Sequence, residues 1–120
     1  VNKSKERGMK IAVSAAGGSM SAQLSESFGR CAYFLIVDSE TMKFEPVSNP
    51  SVAMMGGAGP EAARVISSKG AEVVLTGAVG PNAKEALDAV GIEVVTGFRS
   101  DMRVREVVDK YLEAKSTEGK

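Results

Sequence analysis

The residues of this chain whose chemistry stands out are one thiol, one arginine beside it, a methionine pair and a set of glycine turns. Phe28–Gly29–Arg30–Cys31 places a fixed positive charge next to the single cysteine. Met54–Met55 supply polarizable thioethers, and Gly56, Gly57 and Gly59 follow at once. Gly17–Gly18 and Gly80 mark further turns where a ligand can approach the backbone closely. The 120 residues include no histidine. That excludes Ser–His triads, histidine acid–base pairs, Cys/His zinc sites and histidine pH switches. A single cysteine cannot form an internal disulfide, a CxxC redox pair or a four-cysteine iron–sulfur site. With 15 basic and 15 acidic residues, the chain lacks the surplus positive charge of a general nucleic-acid binder. No carboxylate pair stands out as an acid–base couple, so the chemistry on offer is binding rather than catalysis.

Each feature also has a plainer reading. Cys31 is either a soft ligand or a small hydrophobe at the start of a strand. Arg30 is either a ligand contact or an ion-pair partner. Met54–Met55 serve equally as loop or core filler. Gly57-x-Gly59-x-x-Ala62 loosely matches a dinucleotide fingerprint, but it follows a loop and contains Pro60, which favours a helix cap.

These residues need elements to hold them. Lys10–Ala15 is a β-branched run and predicts a first strand; Ser19–Arg30 reads as a loop with one helical turn. Ala32–Asp38 is the most apolar run and predicts a central strand. Lys43–Ser48 completes a hairpin, and Pro46 assigns that strand to the sheet edge. The second half then repeats itself. Gly59–Pro60–Glu61–Ala62 through Gly70–Ala71–Glu72–Val73–Val74 recurs 21 residues later, from Gly80–Pro81–Asn82–Ala83 to Gly91–Ile92–Glu93–Val94–Val95. Each copy predicts a helix of about ten residues with Pro in its first turn and Gly at its stop, followed by a strand. Ala83, Ala86, Leu87 and Val90 form the apolar face of the second helix. A last helix over Asp101–Leu112 buries Val104, Val107, Val108 and Tyr111, with Ser100 as its N-cap. The result is one α/β domain over Met9–Leu112: a mixed five-stranded sheet, an antiparallel meander followed by α–β–α–β–α. Val1–Gly8 and Glu113–Lys120 read as a disordered leader and a polar tail. Neither a membrane-length apolar run nor a signal-like N-terminus is present, so a cytoplasmic protein is expected.

The topology predicts where a ligand sits. If the first strand runs parallel to the last two, both Gly–Pro helix starts lie at the C-terminal edge of those strands. Gly17–Gly18, Phe28–Cys31, Met54–Gly59 and Gly77–Gly80 then share one rim. Two helix N-termini give that rim an affinity for anions.

Phe28–Gly29–Arg30–Cys31–Ala32–Tyr33–Phe34, Asn49–Pro50, Gly57–Ala58–Gly59 and Gly80–Pro81–Asn82–Ala83 resemble the dinitrogenase iron–molybdenum cofactor biosynthesis family, from Met9 to about Leu112. The resemblance implies a ribonuclease-H-like sheet and non-enzymatic binding or carrying of a metal–sulfur cluster or its precursor, of Mo–Cu sulfide or Fe–Mo type. Its stand-alone orange-protein branch holds a molybdenum–copper sulfide cluster without covalent attachment. Ser27 occupies the place where many members carry histidine, which points to that non-covalent mode. The rim and the resemblance together give as candidate cofactor-binding residues Gly17, Gly18, Ser27, Phe28, Gly29, Arg30, Cys31, Met54, Met55, Gly56, Gly57, Gly59 and Gly80, with Cys31 as the one candidate metal ligand. The expected partners are the inorganic cluster and a protein that donates or receives it, with no nucleic acid or membrane and a monomer favoured. A nucleotide- or anion-sensing module, or a partner-binding module, using the same rim is the alternative.

Overall fold

A computed structural model describes residues 8–118. Of the expected leader only Gly8 falls within them; Val1–Arg7 lie outside, as do Gly119 and Lys120 of the expected tail. Strand β1 (Lys10–Ala15) has the expected bounds, while β2 (Tyr33–Asp38) and β3 (Phe44–Ser48) each start one residue later than expected. A single 3-10 turn, Pro50–Ala53, follows β3. Helix α1 (Ala58–Ser68), β4 (Val73–Leu75), α2 (Pro81–Ala89) and β5 (Glu93–Val95) are the two repeat units, and α3 (Val104–Glu118) closes the chain.

The strands form one sheet in the order β3-β2-β1-β4-β5. β1 pairs antiparallel with β2 (Ala12 opposite Ile36) and parallel with β4 (Ala12 beside Val74). β2–β3 is antiparallel and β4–β5 parallel, which is the ribonuclease-H-like arrangement. Side chains alternate across the sheet, as the pleat requires. Ala12, Phe34, Ile36 and Val74 pack against α1 and α2 through Ala62, Ala63, Ile66 and Leu87. Ile11, Val13, Leu35, Val37, Val73 and Leu75 pack on the other face against Val104, Val107, Val108 and Tyr111 of α3. The layers are helix, sheet, helix. Among the described residues no helix is long and apolar enough to cross a membrane.

Pro46 lies opposite Leu35 on the edge strand β3. Asn49 N donates to Ala32 O and Asp38 N donates to Lys43 O, so the odd-numbered residues of β3 bond inward. The even-numbered Pro46 therefore faces outward, where it has no N–H to offer a further strand.

Several local expectations shift. α1 begins at Ala58 because Gly57, at φ 74°, serves as a left-handed N-cap; Pro60 falls third in the helix, still inside the first turn. α2 starts at Pro81 with Gly80 as N-cap, as expected. Val90 is not part of the buried face: it is the C-cap of α2 and is half exposed. Ser100 does not cap α3: the helix starts only at Val104, and the Ser100 N–H is held by the Glu26 carboxylate at 2.8 Å. Instead Glu106 Oε1 accepts from Arg103 N at 2.8 Å, half of a capping box at the real helix start. α3 also runs past the expected end at Leu112 to Glu118, through residues rich in helix formers.

The loop Ser19–Arg30 is tied down over the end of the sheet. Ser14 Oγ donates to Ser25 O at 2.6 Å, which leaves the Thr76 hydroxyl to donate to Ser14 Oγ at 2.7 Å. Ala78 N donates to Glu26 O (2.8 Å) and Phe28 N to Ala78 O (3.2 Å). This approach needs Gly77, where a Cβ would lie 2.7 Å from Glu26 Cα, Cβ and O. Gly77→Ala is expected to destabilise the fold by about 1–3 kcal/mol, because backbone must move. A Cβ on Gly56 meets nothing within 4 Å, so Gly56→Ala should stay within about 0.5 kcal/mol of the parent. Urea denaturation of the two variants checks the contrast.

Candidate functional site

Three sequence-distant segments meet at the C-terminal rim of β1 and β4. Ser27, Gly29 and Arg30, then Gly57–Pro60, then Gly80–Ala83 line a cleft of about 270 Å³. The first turns of α1 and α2 are pressed together there: a Cβ on Gly59 would lie 2.7 Å from Ala83 Cβ. The Gly29 turn covers the junction, with room for a Cβ only 3.2 Å from Gly59 N. Side chains larger than hydrogen at these two glycines would separate the segments.

Helix geometry leaves the first amides of each helix without an intrahelical acceptor. Glu61 N→Gly57 O and Lys84 N→Gly80 O are the first helical bonds. Because Pro60 and Pro81 have no N–H, the free donors are Ala58 and Gly59 on α1 and Asn82 and Ala83 on α2. Two like helix poles, each equivalent to roughly half a positive charge, thus stand side by side. Arg30 adds a full charge. Its Nη1 donates to Val52 O at 3.4 Å and to Met54 O, and no carboxylate pairs with it among the described residues.

No carboxylate lines the cleft. Glu61, in the first turn of α1, is engaged instead by Arg64 at 2.6 Å. The hydrogen bond from Arg64, reinforced by its charge, holds the Glu61 carboxyl below its ordinary range. A larger neighbouring cleft of about 530 Å³ shares Gly80 and Pro81 and is bounded by Val79, Val94, Thr96 and Lys84. The Lys84 ammonium is already held by Asp88 at 2.9 Å. It has none of the convergent amides.

The other residues singled out in the sequence are placed differently. Phe28 is buried and stacks obliquely on Phe34, ring centroids 5.2 Å apart, beneath the cleft-lining turn. Met54 is partly buried, with Cε near the Gly57 cap, whereas Met55 is 99% exposed. Gly56 lies in the same loop, outside the cleft lining. Gly17 and Gly18 stand over the start of β2, Gly18 beside Tyr33 and Pro46, and do not line the cleft. Cys31 is also absent from the lining: it is 1% exposed, with its thiol donating to Phe28 O at 3.5 Å. Burial pushes the thiol up to about 12, against hydrogen bonds that would lower it. The amides of Ala58, Asn82 and Ala83 were not singled out as contacts, although the helix-start signal that frees them is present in the sequence.

The cleft is electropositive and built of backbone. Among the described residues no group of three or more Cys, Asp and Glu side chains could hold a metal ion. A bare cation therefore finds no ligand set. An anion finds amides, the Ser27 hydroxyl and a guanidinium. The donors suit an anion rather than a cation.

The fold defines a class of proteins, and comparison with known families agrees. The family model described as dinitrogenase iron–molybdenum cofactor matches residues 9–114. The chain belongs to that family. Among solved structures it is similar to the apo form of the orange protein from Desulfovibrio gigas, at 40% identity and TM-score 0.85, with 88% of each chain covered. It is also similar to a Thermotoga protein described as a candidate NifB protein of the DUF35 family, at 34% identity and TM-score 0.76, again over 88% of each chain. A candidate dinitrogenase from Methanocaldococcus jannaschii shares the fold, at 18% identity and TM-score 0.63 over 89% of this chain and 90% of that one. No curated protein matches the chain.

The buried thiol carries a testable consequence. The unfolded thiol titrates near its ordinary 9.0, and the folded one only at about 12. Below 9 both states are protonated, and the stabilising difference is fully present. Above it the unfolded state loses its proton first, so stability falls by roughly 1.4 kcal/mol per pH unit until the folded thiol titrates. Cys31→Ala should lack this component of the alkaline decline. Denaturant titrations of both proteins across that window measure it as their difference.

Proposed function

We propose that this protein binds and carries an anionic metal–sulfur cluster, molybdenum-containing and of Mo–Cu sulfide or Fe–Mo type, as cargo. The role is non-enzymatic: the cluster is received from one protein partner or delivered to another. The single observation that carries the reading is the pair of abutting helix N-termini beside Arg30 in a cleft without carboxylates. Family membership and the likeness to the orange protein support it.

In this reading the Ala58, Gly59, Asn82 and Ala83 amides bind the sulfide face of the cluster, and Gly29, Gly57, Gly59 and Gly80 keep the approach open. Arg30 turns part of its guanidinium from the loop carbonyls to the cluster, and Ser27 adds a hydroxyl. Phe28 backs the turn from below. Met54, Met55 and Gly56 border the entrance, Gly17 and Gly18 stand further along the rim, and Cys31 packs the turn rather than coordinating metal. The two helix poles also attract the anion, by about 0.3–1 kcal/mol for each helix.

Incubation with tetrathiomolybdate and copper, followed by desalting, tests the reading. Visible absorption bands should elute with the protein. At ligand concentrations about 100 times Kd, stabilisation should raise Tm by roughly 10 °C or more. Arg30→Ala should weaken retention about tenfold, the value of one charge-assisted hydrogen bond. A protein that elutes colourless and leaves the cluster spectrum unchanged overturns the proposal. Equal stabilisation by sulfate would reassign the cleft to general anion sensing.

A further inference from the structure

Asn49 is 2% exposed and belongs to no wall of the cleft, yet its side-chain N–H groups are directed at the turn that forms one. Its Nδ2 donates to Cys31 O at 2.8 Å and to Gly29 O at 3.3 Å, and approaches Cys31 Sγ at 3.7 Å. Its Oδ1 accepts from Ser51 N at 3.1 Å and from Ser51 Oγ at 2.7 Å. The Ser51 hydroxyl has one proton, and Gly29 O at 3.1 Å is its alternative acceptor to Asn49 Oδ1. Asn49 N donates to Ala32 O at 3.0 Å. The turn therefore cannot rotate about its own peptide bonds without breaking buried hydrogen bonds.

The consequence follows from peptide planarity. In a trans peptide the N–H points opposite to the preceding C=O. With Gly29 O directed at Asn49 and Ser51, the Arg30 N–H on the other side of that plane points away from them. It has no acceptor among the described residues. Arg30 in turn grips Val52 O and Met54 O, just beyond Ser51. Residues 29–31 and 49–54 thus clamp each other, one strand of chain supplying carbonyls to the side chain of the other.

We propose that Asn49, assisted by Ser51, is the positioning residue of the anion cleft: it turns the Gly29–Arg30 peptide so that the Arg30 amide and guanidinium act on the cargo together. The inference rests on the cluster-binding reading and specifies what makes that cleft competent. Asn49 touches no cargo.

Amide NMR of the protein titrated with tetrathiomolybdate separates the two ideas. In the parent, the Arg30 amide should shift on binding together with those of Ala58, Gly59, Asn82 and Ala83. Asn49→Asp removes the Nδ2 donor at almost unchanged volume. It should weaken binding about tenfold, the loss of one or two hydrogen bonds, and abolish the Arg30 shift while the helix amides still respond. Ser51→Ala removes the hydroxyl whose one proton is shared between Asn49 Oδ1 and Gly29 O, leaves Asn49 Nδ2 on Gly29 O, and should reduce the Arg30 shift in a protein that folds even where Asn49→Asp does not. A merely structural role would weaken all five amide responses alike, and that result overturns the inference. So does parent-like affinity with an unchanged Arg30 shift in the variants. A parent that binds with helix-amide shifts but no Arg30 shift also overturns it and leaves the function standing; a parent that shows no shift at all removes both.

Discussion

The contact on which the rim depends is the one between the first turns of α1 and α2. Gly59 and Ala83 approach so closely that no side chain fits on the former, and the Gly29 turn lies over the same spot. This packing is apolar in character but electrostatically unfavourable, since it brings two positive helix ends together. The rest of the fold maintains it. Parallel pairing of β1, β4 and β5 starts both helices at one sheet edge, and Ile66, Leu87 and their neighbours hold both helices on the same face. Burial of one such side chain contributes about 1.5–3 kcal/mol, more than the repulsion between two exposed helix ends. Packing therefore wins, and the unfavourable field is left concentrated in an open cleft.

A second consequence concerns where the chain places its polar groups. Ser14, Thr76, Asn49 and Ser51 are all buried, and all serve the rim end of the sheet. Ser14 and Thr76 hold the segment that carries Ser27 and Phe28. Asn49 and Ser51 hold the segment that carries Arg30 and Cys31. Burying such groups costs stability unless each finds a partner, so their confinement to one end reflects the need to fix irregular backbone there. The opposite end of the sheet makes its turn with Asp38, whose Oδ1 accepts from Glu40 N and Thr41 N in the open.

Much of this was legible in the sequence, and what was missed has a common cause. β1, the hairpin, the two α–β units and the valine stripe of α3 are encoded by local periodicity and by Pro and Gly signals, so they could be read directly. The antiparallel meander and the parallel crossovers were read from the chain, and, with β1 taken as parallel to the last two strands, so was the meeting of the Gly29, Gly57 and Gly80 segments. The errors lie where a distant residue competes with a local signal. Ser100 looks like an N-cap, but it is tied to Glu26 and the helix starts only at Val104. Val90 keeps the helical spacing of a core residue, but α2 has already ended. Cys31 sits at the rim in chain order, yet its side chain lies within the core cluster that includes Phe28 and Phe34. Chain order fixes which edge a residue reaches and not which way its side chain turns. Asn49 shows the same limit from the other side: its importance comes from contacts 18 and 20 residues away, which no local pattern announces.

The absence of histidine, and the withdrawal of the one thiol into the core, bear on how cargo leaves as well as how it is held. A cluster coordinated by side chains is released only by exchanging metal–ligand bonds. In the proposed mode the cluster keeps its own sulfide shell, and the protein touches that shell through amides, a hydroxyl and one guanidinium. Each such contact is worth about 0.5–3 kcal/mol and breaks singly. Binding is then the sum of several weak terms aligned in advance, so affinity depends on how accurately the turn around Arg30 is set rather than on any one ligand. Arg30 has carbonyl partners available in Val52 O and Met54 O. Its charge therefore has a place to return to when the anion departs, which lowers the cost of release. The proposed carrier role needs affinity and release together, and a cleft built of backbone donors beside a guanidinium that has carbonyl partners of its own suits both.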